Sequence, residues 1–146
     1  MSDLIKKLSI LLADTYALYL KTQNYHWHVK GSHFKSLHEL FEKQYLELAE
    51  AVDRIAERIL IKNHNAPATF KELDHIKTLK DGDSNSDSNT MVTELAGDHG
   101  TLIRDLNAAM KMAQDMKDEG TANMLADRIE SHEKARWMLQ SSEDNA

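Results

Sequence analysis

The chain predicts an all-α fold, an antiparallel four-helix bundle with one short extra helix in the connection between the second and third long helices. Three observations carry that expectation. Apolar residues recur at helical spacing in four long segments. The single proline, Pro67, falls between those segments rather than inside one. The longest break, KDGDSNSDSN at residues 80–89, is polar and turn-forming. Helices that each carry one apolar stripe bury it by packing together as a bundle. At 146 residues the chain reads as one domain, residues 1–146, long enough to enclose a substantial core.

The first helix is expected from Leu4 to about Val29, with Leu8, Leu11, Leu12, Thr15, Leu18, Tyr19, Thr22 and Tyr25 in register. Ser2 suits its N-cap and Gly31 its stop. The second runs from about Ser32 to Asn63 with Leu37, Phe41, Tyr45, Leu48, Val52, Ile55 and Ile59 as its stripe, closed by Pro67. A short helical piece follows from Thr69 to about Leu79. The third long helix spans about Thr90 to Asp118, carrying Val92, Leu95, His99, Leu102, Leu106, Ala109, Ala113 and Met116. Gly120 is read as its end, and Thr121 as the cap of a fourth helix reaching about Ser141. The final SSEDNA reads as a short acidic tail.

Composition removes several function classes. There is no cysteine, so disulfides, thiolate metal sites and cysteine nucleophiles are excluded. No run of 18 apolar residues is present, so no membrane-spanning helix is expected. Met1-Ser2-Asp3 leads straight into an amphipathic pattern, without a signal peptide, and a cytoplasmic location is the expectation. A net charge of −6 disfavours non-specific binding to nucleic acid.

Chemistry concentrates on the second helix and just upstream of it, in His26, His38, Glu42, Asp53 and Glu57. At ~100° per residue, with His38 as zero, Glu42 falls near ~40°, Asp53 near ~60° and Glu57 near ~100°. The four share a sector separate from the core stripe. Glu42 and Asp53 are nevertheless roughly 16 Å apart along the axis, whereas a metal–ligand bond is about 2 Å. One helix cannot bring both pairs to one ion. A lone acidic pair is more often a solvated helix face than a ligand pair, and a lone histidine more often a packed one. Symmetry favours the ligand reading, because residues 38 and 57, and residues 42 and 53, share the midpoint 47.5.

Two copies of this helix crossing antiparallel about a two-fold axis near Leu46–Ala49 would place residue 38 of one opposite residue 57 of the other, and residue 42 opposite residue 53. Leu46, Ala49, Ala56 and Leu60 lie in the same sector, and the alanines would allow close backbone approach. Two identical sites would result, roughly 22 Å apart. His26 joins because residues 26 and 38 lie level across the hairpin at Gly31-Ser32. Nitrogen and oxygen donors without sulfur suit iron, manganese or zinc.

The stretch NYHWHVKGSHFKSLHELFEKQYLELAEAVDRIAERI, Asn24 to Ile59, closely resembles the Dps family of miniferritins, and the similarity extends over most of the chain in helix order. It is carried by the His-Trp pair, the histidine twelve residues on, and the later D-x-x-x-E. The resemblance implies a ferritin-like fold and a dodecameric shell with an inter-subunit ferroxidase site. His26, His38 and Glu42 would come from one chain, with Asp53 and Glu57 from its two-fold mate. It further implies that Fe(II) is oxidised there, preferentially by hydrogen peroxide in most members and otherwise by dioxygen. Ferric mineral would be stored in the hollow, and oxidative stress relieved. Glu42 departs from the family's usual Asp, which keeps the charge on a longer arm. Zinc or manganese could substitute for iron in such a donor set.

Trp27 matches a family tryptophan beside the site, with a redox influence or packing as its two readings. His28 stands where many relatives have Asn and reads as a surface or packing group. His33 is assigned to the interhelical turn, while His64, His75, His99 and His132 show no ligand grouping. Glu119, Asn123 and Asp127 follow i,i+4,i+8 spacing where family shells admit iron through three-fold pores, although Asn123 replaces a common Asp and a solvated face fits equally. Two decoys are set aside. DGDSNSDSNTMV mimics a calcium loop but has Ser86 where Gly is needed and Val92 where Glu is needed. Glu72-x-x-His75 is half of a larger ferritin's di-iron signature, with no second copy. The competing functions are a nucleoid protein that coats DNA and a metal-free helical interaction protein. DNA binding is disfavoured because only Lys6 and Lys7 mark the N-terminus, both inside the first helix, and the C-terminus is acidic.

Overall fold

The structure is a computed structural model that describes residues 2–144. It has five helices, α1 (Asp3–His28), α2 (Phe34–Ile61), α3 (Phe70–Ile76), α4 (Ser88–Asp115) and α5 (Glu119–Gln140), and no strand among the described residues. α1 pairs with α2 and α4 with α5, while α1 also packs on α4, and α3 lies against α1. This is the all-α four-helix bundle with a short helix in its long connection. The predicted stripes form its core: Leu8, Leu11, Leu18, Phe41, Leu48, Ile55, Ile59, Leu95, Leu102 and Leu106 are buried in one cluster. Burial of each such side chain stabilises the fold by about 1.5–3 kcal/mol before ordering costs.

Helix ends follow local chemistry. Ser2 caps α1 by accepting from the Ile5 N–H, and Gly31 sits at φ +109°, a conformation that favours glycine. Thr69 caps α3 by accepting from Glu72 N–H, while Glu72 Oε1 accepts back from the Thr69 hydroxyl. That exchange uses the glutamate of the Glu72-x-x-His75 decoy. Asp87 caps α4 by accepting from Thr90 N–H at 2.8 Å, and Asp83 closes a turn onto Asn85 N–H. Two of the three acidic groups of the calcium-loop mimic thus serve the backbone, and the third, Asp81, lies 3.4 Å from Lys77 Nζ.

Five expectations are corrected. α2 begins at Phe34 rather than Ser32, because the 31–33 turn is consumed in reversing the chain. It ends at Ile61, where Asn63 turns left-handed at φ 65°, well before Pro67. α4 ends at Asp115, because Lys117 adopts φ 58°, so Gly120 lies within the first turn of α5. Asp118, not Thr121, is the α5 cap, and it accepts from both the N–H and the hydroxyl of Thr121. Met116 falls beyond α4 and is 55% exposed, so it leaves the core stripe. In the tail, Asp144 N–H donates to Asn89 at 2.8 Å, and Asn145 and Ala146 lie outside the described residues.

The long connection is pinned at two buried points. Asp14 on α1 accepts from the Thr78 N–H and hydroxyl, each at 2.6 Å, and from Leu79 N–H at 3.0 Å. Tyr25 donates to the Glu94 carboxylate and accepts from Asp83 N–H at 3.3 Å. Burial, and then the Glu94 carboxylate, push its phenol up to about 12 against the opposing Asp83 bond.

Candidate metal centre

His26 ends α1, while His38 and Glu42 stand one turn apart near the start of α2, so the hairpin at Gly31 sets them side by side. The two imidazoles stack with centroids 3.8 Å apart and planes 16° from parallel. Each Nδ1 lies 2.7 Å from the other's backbone carbonyl, His26 Nδ1 from His38 O and His38 Nδ1 from His26 O. A carbonyl only accepts, so both Nδ1 atoms carry the proton. In the neutral ring this leaves each Nε2 with a free lone pair, the tautomer a metal requires. His26 Nε2 lies 3.6 Å from Glu42 Oε1. One donor atom from each of His26, His38 and Glu42 falls within 4.8 Å of the other two, and among the described residues this is the one such group.

The hairpin also builds a wall for the centre. Tyr45 meets His26 edge-on with centroids 5.3 Å apart, and Phe34 stacks on His38 at 5.0 Å. The sequence reading assigned Tyr45 to the core and gave Phe34 no role. Their i+7 and i−4 spacing from His38 was the available signal, because residues at those offsets share a helix face. His26 is buried, His38 half-buried and Glu42 exposed, so the donors open outward from the bundle.

Asp53 and Glu57 are not part of this group. They lie exposed further along α2, on a face that also bears Leu46 at 53% and Leu60 at 51% exposure. Trp27 is 58% exposed, which rules out core packing within the chain. Of the pore candidates, Glu119 and Asn123 are exposed, and Asp127 is paired with Arg54 at 2.9 Å. His28 is exposed, with Nδ1 2.8 Å from Asn24 O. His33 is the residue before α2, 3.8 Å from Asp144, and His64 and His75 join no donor group. Lys6 and Lys7 lie within α1, and Lys7 pairs with Asp105 at 3.2 Å.

Residues 5–145 match the family described as the Ferritin-like domain. The chain is 36% identical over 139 residues to DNA protection during starvation protein 2 of Bacillus anthracis, covering 95% of each. It superposes on Dps from Staphylococcus aureus with a TM-score of 0.94 and 32% identity, covering 99% of this chain and 97% of that one. The chain belongs to the Dps family of ferritin-like proteins. Another Dps structure, from Vibrio cholerae, matches at TM-score 0.91 and 30% identity over 94% of this chain and 87% of that one. That protein is described as a member of a broad superfamily of ferritin-like diiron-carboxylate proteins. No helix among the described residues of this Dps chain is long and apolar enough to cross a membrane.

Proposed function

We propose that this chain binds Fe(II) as substrate at sites shared between two subunits, oxidises it, and stores the ferric product inside a closed shell of identical subunits. The observation that carries this reading is the reciprocal pair of Nδ1-to-carbonyl bonds, which leaves Nε2 of both His26 and His38 available beside the Glu42 carboxylate. Kinship with the Vibrio cholerae diiron-carboxylate protein supports iron as the metal. The name of the Bacillus anthracis relative supports a role in protection under stress. Two imidazoles and one carboxylate form half a centre. Asp53 and Glu57 of a two-fold mate would supply the other half, giving three carboxylates to offset the charge of two ferrous ions. Zinc or manganese would compete for the same donors.

With hydrogen peroxide the balance is two Fe(II), one peroxide and two protons giving two Fe(III) and two waters. Two one-electron donors held together match a two-electron oxidant, so no hydroxyl radical is released. The shell is proposed to be a dodecamer built from two-fold dimers, acting in the cytoplasm. The test is stopped-flow oxidation of Fe(II) with peroxide and with dioxygen, comparing wild type with a His26→Ala/His38→Ala variant. Faster oxidation by wild type with either oxidant supports the reading, and its larger enhancement identifies the preferred one. Equal rates for both proteins with both oxidants would remove the ferroxidase function.

A further inference from the structure

His99 and His132, which the metal centre does not use, belong to a buried chain of polar contacts crossing three helices. Glu47 on α2 accepts from Arg128 on α5, from Nη2 at 3.0 Å and from Nη1 more closely. The same Arg128 Nη2 lies 2.9 Å from His132 Nε2, and His132 Nδ1 lies 2.9 Å from His99 Nδ1 on α4. Arg128, His132 and His99 are 3%, 1% and 1% exposed, so no solvent competes for the bonds among these three, while Glu47 at the outer end of the chain is exposed.

Proton positions follow from the arginine. A guanidinium only donates, so His132 Nε2 must accept. The proton of His132 is then on Nδ1, where it is donated to His99 Nδ1, and the proton of His99 is on Nε2. This single arrangement of two neutral rings satisfies every link. A proton added to His132 turns Nε2 into a donor facing the guanidinium and sets two cations together in the core. A proton added to His99 instead points N–H at N–H. Moving the His132 proton to Nε2 relieves that clash only by confronting Arg128 again. No protonated form keeps the chain closed.

We propose that Glu47, Arg128, His132 and His99 form an acid-sensitive latch, which holds α2, α4 and α5 together while both imidazoles are neutral and releases them on protonation. Among the described residues Arg128 is the charged side chain bonded to the ring pair, and Glu47 balances it. On α2 the neighbouring Gln44 is uncharged and donates to Ala135 O. α1 adds no charge here, because its Lys21 pairs with Asp98 and its Asp14 bonds residues 78 and 79. On α5, Arg136 is turned to Gly100 and exposed. Burial, then Arg128, hold His99 down at about 3, while burial, His99 and Arg128 hold His132 well below its ordinary range. The unfolded chain takes up these protons near 6.5, so it binds more protons than the folded chain once pH falls below that value. The latch's contribution is therefore complete above 6.5 and is lost progressively toward about 3.

The test is urea unfolding at fixed protein concentration at pH 5.5 and 4.5, using wild type, H132Q and H99Q/H132Q. A glutamine at 132 can accept from Arg128 and donate to His99, copying the neutral ring without titrating. Each buried neutral histidine raises the unfolding constant about ninefold over that interval. Relative to the double variant, wild type should rise about eightyfold more and H132Q about ninefold more. An equal rise in all three would overturn the latch. Should the double variant fail to fold, solid-state NMR of sedimented wild type labelled with 15N-histidine decides. At pH 5, His132 should carry its proton on Nδ1 and His99 on Nε2, and a doubly protonated ring in the folded protein would overturn the proposal.

Discussion

At the scale of the residue, the grouping of the candidate donors was legible in the sequence and their orientation was not. His26, His38 and Glu42 could be picked out by type and spacing, and the structure brings the three together. The reciprocal bonds that fix both tautomers depend on the backbone carbonyls of residues 26 and 38 meeting across the hairpin. No pattern of side-chain types encodes that meeting. Glu42 is the residue to vary, because it is exposed and makes no hydrogen bond that the fold requires. Glu42→Gln keeps the shape and removes the charge, and should lower the Fe(II) oxidation rate about tenfold or more with unchanged unfolding behaviour. Glu42→Asp, the usual family residue, should retain most of the rate. Stopped-flow kinetics on both variants checks this, and a fully active Glu42→Gln would exclude Glu42 from the donor set.

At the scale of the element, the four long helices were legible from apolar spacing, whereas several boundaries were not. Gly120 and Thr121 look like a stop followed by a cap, yet the break is made by Lys117 in a left-handed turn and by Asp118 as cap. The deciding partners lie about sixty residues away. Arg58 on α2 and Lys62, the residue that ends it, each reach Asp118 at 3.0 Å. A Cβ at position 120 would stand 2.7 Å from Arg58 Nη2, so the glycine serves close approach rather than chain termination. Burial pushes the Asp118 carboxyl up, but hydrogen bonds from Thr121 and Lys62 and the Lys62 charge bring it down to about 2, from 3.8. A depressed carboxyl contributes stability above its unfolded value and loses it as pH falls through the folded one. Asp118→Asn keeps a good cap while deleting the charge. It should cost about 1–2 kcal/mol at neutral pH. Most of that difference from wild type should be lost as pH falls from about 4 to about 2. Urea unfolding across that range checks it, and a difference that persists in full at pH 2 would show the effect is not ionic.

At the scale of the whole molecule, the single chain is an unfinished object. Its second pair of candidate donors, Asp53 and Glu57, stands exposed beside exposed Leu46 and Leu60, on the helix that also carries His38 and Glu42. The common midpoint of these positions could be read from the sequence, because a two-fold axis forces residue i to face j and j to face i. What a single sequence could not supply is the partner surface itself, which exists only when two copies meet. Subunit mixing tests that geometry directly. In a dimer of one His26→Ala/His38→Ala chain and one Asp53→Ala/Glu57→Ala chain, one site loses all four altered donors and the other keeps every native one. Each variant alone should be inactive. Unfolding and reassembling them together in equal amounts makes half of the dimers mixed, with one working site in two, so about a quarter of wild-type oxidation should return. If the donors instead served separate sites within each chain, no activity would return on mixing. Recovery near one quarter, measured by peroxide-driven Fe(II) oxidation, therefore distinguishes a centre shared across the two-fold axis from one confined to a single subunit.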